Sequence, residues 1–86
     1  MTVRVKFFAS LRESVGADLM ALEISSMAAL REALSAELSS PAYAALCADG
    51  VRLAINQKFI NDHWQHSSLE LPAGAEVAFL PPVTGG

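Results

Sequence analysis

The two glycines that end the sequence, Gly85 and Gly86, could take part in chemistry at the chain's own carboxylate. A carboxylate is a poor acyl donor, but once it is joined to AMP it can be attacked by sulfur or by an amine. An enzyme that adenylates it must admit the chain through a narrow slot, and glycine allows close backbone approach because it lacks a Cβ. The alternative interpretation is an inert, frayed terminus or a cloning remnant.

The residues before this pair favour the reactive interpretation. Pro81 and Pro82 favour an extended, semi-rigid segment that rises about 3.1 Å per residue and holds the terminus away from the domain. Val83 follows them, and the hydroxyl of Thr84 can form a hydrogen bond without blocking a narrow path. We therefore divide the chain into a domain over residues 1–80 and an exposed, flexible, reactive tail over residues 81–86.

The other chemically versatile side chains form a much weaker pattern. His63 and His66 are the only histidines and lie around Trp64; two imidazoles alone are a weak metal signal, so we expect no metal site. Cys47 is the only cysteine, which leaves no disulfide framework. We expect it to pack as a small apolar residue, with sulfur transfer as the alternative role. Because no catalytic triad, phosphate-binding loop or paired-carboxylate site is recognisable, we predict no bound cofactor and no self-contained enzyme.

Alternation of apolar and polar residues predicts the strands that must support the tail. The predicted strands cover residues 3–9, 19–24, 51–56, 58–60 and 76–80. Short helices are predicted over residues 11–15 and 42–48, and an irregular stretch over residues 61–68. The strands at 3–9 and 19–24 are expected to pair as a hairpin.

The clearest helix is predicted by Met27, Leu30, Leu34 and Leu38, which recur at three- and four-residue spacing. Either Ser25 or Ser26 can cap its first turn. The order of elements predicts an α+β fold in which this one main helix covers one face of a mixed sheet. The buried layer between helix and sheet would include Val3, Val5, Phe7, Leu30, Leu34, Val77 and Phe79.

The same alternation predicts an apolar patch on the opposite face of the sheet. If Phe7 and Phe79 face the helix, Phe8 and Leu80 must face away from it, and Phe59 could join them. Exposed apolar patches often mark protein partners. The alternative is that loops or residues such as Trp64 cover these side chains and turn the patch into a second small core.

Composition narrows the classes of function. The 86 residues are 52% hydrophobic with a net charge of −3, which fits one folded domain and argues against a nucleic-acid binder, since that would need a basic face. No apolar run is long enough to span a membrane and no signal segment is recognisable. We therefore expect a cytoplasmic protein that binds neither nucleic acid nor membrane.

Three blocks of the sequence resemble the molybdopterin synthase small subunit, the sulfur carrier family of molybdenum cofactor biosynthesis. The blocks are the opening segment 5–16, the central segment 53–57 and the closing segment 76–86. They occur in the family's order and span nearly the whole chain, whereas residues 39–49 and 61–66 match no motif of the family.

This resemblance implies a ubiquitin-like β-grasp fold and a chemistry centred on Gly86. A ubiquitin-activating-type adenylyltransferase would use ATP to adenylate Gly86, and a sulfur-donating enzyme would convert it to a thiocarboxylate. The Gly85–Gly86 tail would then enter the large synthase subunit and deliver sulfur to cyclic pyranopterin monophosphate. The resemblance also implies a heterotetramer with two large subunits, and it places the family's apolar patch at Phe8, Phe59 and Leu80.

Other functions with the same tail chemistry remain open. The alternatives are a sulfur carrier for thiazole formation, tRNA thiolation or cysteine formation, and a ubiquitin-like modifier that is joined to lysines. These classes share the fold and the tail, so physical reasoning from the residues does not separate them. A further alternative is an interaction domain whose tail is inert.

Overall fold

A five-stranded mixed sheet organises the chain in the computed structural model, which describes residues 2–82. The strands are β1 (Val3–Phe7), β2 (Leu19–Leu22), β3 (Arg52–Ile55), β4 (Lys58–Phe59) and β5 (Glu76–Leu80). The helices are α1 (Ser10–Val15), α2 (Met27–Glu37) and α3 (Ser40–Cys47), with a short 3-10 helix at Trp64–His66. The predicted order of strands and α-helices is therefore confirmed, whereas the stretch predicted to be irregular contains the 3-10 helix.

The last strand lies in the middle of the sheet, whose order is β2-β1-β5-β3-β4. β5 runs parallel to β1, with Val5 beside Val77 and Phe7 beside Phe79. Its other neighbour, β3, is antiparallel, as are the outer pairs β1–β2 and β3–β4. The hairpin expected of the first two strands is thus present, with α1 in its connection.

The sequence of helix α2 provides both an N-cap residue and an apolar face that packs against the sheet. The Ser26 hydroxyl accepts a hydrogen bond from the backbone N–H of Ala29 at 3.1 Å, so Ser26 rather than Ser25 is the N-cap. Met27, Leu30 and Leu34 are fully buried from this helix. All seven residues predicted for the layer between helix and sheet are buried: Val3, Val5, Phe7, Leu30, Leu34, Val77 and Phe79.

Several elements begin or end a few residues from their predicted bounds, and the backbone shows why. β1 stops at Phe7 because Ala9 adopts a positive φ of 52° directly before α1. β3 stops at Ile55 because Asn56 and Gln57 adopt φ of 50° and 71° to turn the chain into β4. α3 begins earlier than predicted, at Ser40, since the Ser39 hydroxyl caps it.

Among residues 2–82, no helix has the length and apolar character required to cross a bilayer. Val83, Thr84, Gly85 and Gly86 lie outside the described residues. The predicted division into a domain and a flexible tail therefore stays a prediction.

Candidate functional site

The face of the sheet turned away from α2 carries the predicted patch. Strand registers place one row of side chains across this face, because residues that pair between neighbouring strands project to the same side. The row runs Leu19, Lys6, Ala78, Ala54 and Phe59. The next row begins with Phe8, which follows β1, and continues with Leu80 and Arg52, a registered pair.

Large apolar side chains on this face are exposed. Phe8 is 42% exposed, Phe59 46% and Leu19 50%, while Leu80 is half-buried. Trp64 does not cover them, because its ring is fully buried and packs edge-to-face on Phe79, with the ring centroids 4.9 Å apart. Since Phe79 points toward α2, the alternative in which Trp64 closes over the patch is wrong.

The position of Phe59 is set by local contacts. The Arg52 guanidinium lies over its ring, 4.1 Å from the centroid, which is cation–π geometry. The turn that presents Phe59 is tied to β5, since the Asn56 side-chain oxygen accepts from the Glu76 N–H at 2.9 Å and the Asn56 N–H donates to the Glu76 carbonyl at 2.8 Å. Phe59 therefore sits on an anchored turn.

Charged side chains surround the apolar residues of this face. Lys6 Nζ lies 3.0 Å from Glu76 Oε1, an ion pair that is partly exposed. Arg12 and Asp18, together with Lys6, Phe8 and Leu19, line a surface depression beside the patch. Lys6 lies in the row between Leu19 and Ala78, so charged side chains are interspersed with the apolar ones on this face.

The first residues of the tail follow directly from the end of β5, the central strand of the sheet. Leu80 ends β5, Pro81 is half-buried and Pro82 is exposed. The candidate reactive residues, Gly85 and Gly86, lie beyond the described chain, as do Val83 and Thr84. The structure thus brings Phe8, Phe59 and Leu80 to one face, and their roles stay predictions.

Both ring nitrogens of His63 lie within hydrogen-bonding distance of backbone groups. His63 Nδ1 accepts from the Gln65 N–H at 3.2 Å, and its Nε2 lies 3.2 Å from the Ala48 carbonyl, to which it can donate. The rings of His63 and His66 have centroids 6.2 Å apart. Within residues 2–82, no three His, Cys, Asp or Glu side chains are grouped as metal ligands would be.

Cys47 and Trp64 belong to the packing beneath α3. The Trp64 indole N–H donates to the Leu46 carbonyl at 2.8 Å. Cys47 is partly buried, and its sulfur accepts a hydrogen bond from the Gln65 side chain. Burial raises the pKa of the Cys47 thiol, against an opposing contribution from a hydrogen bond with Tyr43. A thiol with a raised pKa is a weak nucleophile at neutral pH, which favours the packing role.

The sheet with one main helix across a single face, and an apolar patch on the other, defines a ubiquitin-like β-grasp protein. A family model described as the ThiS family matches residues 5–86, and the chain belongs to that family. The molybdopterin synthase sulfur carrier subunit of Escherichia coli strain K12 is 41% identical over 88 residues, covering 98% of this chain and 99% of the relative. The resemblance to the molybdopterin synthase small subunit is therefore confirmed.

Solved structures agree with the fold. The small archaeal modifier protein 1 of Methanosarcina acetivorans is 26% identical, with a TM-score of 0.77 over 99% of this chain and 96% of that one. A complex of subunits 1 and 2 of molybdopterin-converting factor from Helicobacter pylori contains a chain that is 22% identical, with a TM-score of 0.68 over all of both chains. At 22% identity this second likeness shows the β-grasp fold alone.

One exposed residue of the face, Leu19, was not among the predicted patch residues. The alternation in β2 separates Leu19 from Met20, and the pairing of Lys6 with Leu19 then assigns it to the outer face. The alternation in β2 can be read from the sequence. The pairing of Lys6 with Leu19 cannot, because the register of β1 on β2 depends on how α1 connects them.

Proposed function

We propose that this protein is a sulfur carrier of molybdenum cofactor biosynthesis, the small subunit of a molybdopterin synthase. The observation that carries the proposal is the 41% identity to the Escherichia coli sulfur carrier subunit over nearly the full length of both chains. The apolar face of Phe8, Phe59 and Leu80 supports it, because a carrier must dock on larger enzymes to present its tail.

The proposed chemistry begins at the carboxylate of Gly86. A ubiquitin-activating-type adenylyltransferase joins a carboxylate oxygen to the α-phosphate of ATP and releases pyrophosphate. A sulfide equivalent from a sulfur-donating enzyme then attacks the acyl carbon and displaces AMP, which leaves a thiocarboxylate. ATP is consumed by the activating enzyme, and the carrier itself holds no cofactor.

Sulfur delivery takes place in the proposed complex with the large synthase subunit. The thiocarboxylate sulfur forms a bond to a carbon of cyclic pyranopterin monophosphate while a carbon–oxygen bond at that carbon breaks, and the oxygen leaves as water or as part of the phosphate group. Water then cleaves the bond between sulfur and the Gly86 acyl carbon, which regenerates the carboxylate. Each round transfers one sulfur atom, so the two sulfurs of the dithiolene require two loaded carriers. A heterotetramer with two large subunits is the corresponding assembly, in which acid–base groups belong to the large subunit and this chain acts as a protein cosubstrate.

The test is intact-mass spectrometry of the protein after incubation with ATP, an activating enzyme and a sulfur source. A sulfur-for-oxygen mass increase located at Gly86, and lost as molybdopterin forms on addition of the large subunit and the pyranopterin precursor, is the expected result. An increase without molybdopterin would assign the carrier to another sulfur pathway. No increase with an activating enzyme proven on a known carrier would overturn the proposal.

A ubiquitin-like modifier is the second candidate, and the likeness to the small archaeal modifier protein 1 favours it. A modifier also needs an activated Gly86, but its acyl group ends on a lysine amine rather than being hydrolysed. The product separates the two functions, because a modifier forms covalent adducts that survive denaturation. Lys58 is the last tryptic site of the sequence, so trypsin would leave residues 59–86 of this chain attached to the modified lysine. A carrier forms none and returns to its original mass.

A further inference from the structure

The chain continues alongside β3 for two residues after β5 ends. The antiparallel register pairs Arg52 with Leu80. Two residues before Arg52 is Gly50, and two residues after Leu80 is Pro82, so the same register brings Pro82 opposite Gly50. In agreement with this register, the Pro82 side chain is the nearest neighbour on the side of Gly50 where a side chain would project.

A side chain at Gly50 would collide with Pro82. A Cβ built on Gly50 would lie 3.0 Å from Pro82 Cβ and 3.1 Å from Pro82 Cγ. Carbon atoms prefer separations of about 3.5–4.0 Å, so Pro82 would have to move by several tenths of an ångström. The absence of a side chain at Gly50 is what allows Pro82 to lie where it does.

The other two described glycines with positive φ lack such a neighbour. Gly16, Gly50 and Gly74 have φ of 83°, 86° and 72°, so each occupies the left-handed region that favours glycine. A Cβ at Gly16 or Gly74 would meet nothing within 4 Å. Backbone conformation explains glycine at all three positions, but only Gly50 is also in contact with the segment that leads to Gly86.

We propose that Gly50 is a positioning residue for the reactive terminus, an inference that rests on the proposed function. By leaving room for Pro82 it sets the direction in which the chain leaves β5. Gly86 is four residues further along the chain than Pro82, which allows a reach of up to about 14 Å. An enzyme that holds both the domain and the terminal carboxylate must accept the direction in which the chain passes Pro82, and a misplacement of about 1 Å at a reacting group can slow a reaction on the order of a hundredfold.

The test compares Gly50→Ala with Gly16→Ala and Gly74→Ala. All three substitutions place alanine at positive φ, so we expect similar decreases in Tm, and only Gly50→Ala displaces Pro82. In a single-turnover assay with saturating activating enzyme and ATP, we expect Gly50→Ala to form the acyl-adenylate about tenfold more slowly than either control. The Kd for the activating enzyme should stay within about twofold of the controls, because the apolar face of Phe8, Phe59 and Leu80, here called the docking face, is intact.

A double-mutant cycle with Pro82→Gly shows whether the contact itself is responsible. Pro82→Gly removes the atoms that a Cβ at Gly50 would meet. If Gly50 acts through Pro82, the Gly50→Ala substitution should cause little further loss of rate in the Pro82→Gly background. A full tenfold loss in that background would overturn the proposed route.

The outcomes separate this inference from the function on which it rests. If the wild-type chain is modified at Gly86 and Gly50→Ala reacts as fast as Gly74→Ala, the positioning role is wrong and the carrier function stands. An equal loss of rate in all three alanine variants would also overturn it, since that would reflect backbone strain. If the wild-type chain is never modified, the carrier function fails and the inference fails with it.

Discussion

Phe8 and Phe59 place two aromatic rings, each more than two-fifths exposed, on a sheet face that residues 2–82 do not cover. A ring left in water gives up the favourable burial that most large apolar side chains obtain, about 1.5–3 kcal/mol for a full side chain. Arg52 covers part of Phe59, whereas no cationic side chain within the described residues 2–82 lies over the Phe8 ring in this way. Burial of an exposed ring by a partner would recover this energy. Because Phe8 is the less covered of the two rings, a substitution of Phe8 is the more sensitive test of whether this face binds a partner.

We predict that Phe8→Asp weakens binding of the large subunit by roughly 30-fold or more, the effect of losing a binding hot spot of about 2 kcal/mol. A carboxylate there would be desolvated in the complex but solvated in the free chain. Isothermal titration calorimetry would give the Kd, and thermal denaturation should show a change in Tm of only a few degrees.

Leu69→Asp is the matched control for this substitution. Leu69 is 49% exposed, but it lies in the loop before β5, where its carbonyl accepts from the N–H of Met27 at the start of α2. An aspartate at Leu69 should leave the Kd near the wild-type value. Equal weakening by the two variants would contradict the assignment of the docking face.

The alternation of apolar and polar residues predicted most of the large apolar side chains on this face. It missed Leu19, which is the most exposed of them. Phe8 and Leu80 follow from the side on which Phe7 and Phe79 lie, because neighbouring residues in a strand point to opposite faces. Leu19 required knowledge of the β1–β2 register. To predict where the Trp64 ring lies, one would have to know of the 3-10 helix that directs it onto Phe79. The polar residues around Trp64 show no helical or strand periodicity that would indicate this helix.

At the scale of elements, the start of α2 depends on one hydroxyl. We predict that Ser26→Ala lowers the free energy of unfolding by about 1 kcal/mol, because the N–H of Ala29 loses its acceptor. For a domain of this size that corresponds to a fall in Tm of roughly 4–8 °C. Differential scanning calorimetry measures both quantities.

Ser25→Ala serves as the comparison for the cap. Ser25 is exposed, and its recorded hydrogen bond is made by its backbone carbonyl, which accepts from the N–H of Leu71. That bond survives a change of side chain, so Ser25→Ala should shift Tm by at most about 1–2 °C. A larger loss from Ser25→Ala than from Ser26→Ala would show that the cap has been misassigned.

The existence and type of the elements could be predicted from the sequence, whereas their ends could not. The spacing of Met27, Leu30 and Leu34 predicts α2 whatever surrounds it. The end of β1 depends on the unusual conformation of Ala9, with φ of 52° and ψ of −129°. Alanine rarely adopts that conformation, so no local preference announces it, and the constraint comes from packing α1 against the rest of the chain.

At the scale of the whole molecule, the fold and the proposed chemistry are separable. In the part of the chain that the structure describes, residues 2–82, the buried hydrophobic residues all lie between Val3 and Phe79. We therefore predict that deleting Gly86 changes Tm by less than about 2 °C, while the sulfur-for-oxygen mass increase disappears. The shortened chain ends about 3.3–3.6 Å earlier, which moves its carboxylate out of reach of the adenylating site.

The two readouts of this deletion test different statements. A large fall in Tm would contradict an exposed tail that contributes little to the core. A sulfur-containing product formed on Gly85 at the wild-type rate would contradict a dependence on the position of the terminal carboxylate. Circular dichroism and intact-mass spectrometry on one preparation give both readouts.

β5 is the last strand to be synthesised, but it lies in the middle of the sheet, between β1 and β3. Without Glu76–Leu80, β1 and β2 form one hairpin, β3 and β4 form another, and no strand joins them. Two-stranded hairpins are at best marginally stable in water. The docking face is therefore assembled only in chains made through Leu80, and an enzyme that recognises this face would reject prematurely terminated products before spending ATP on them.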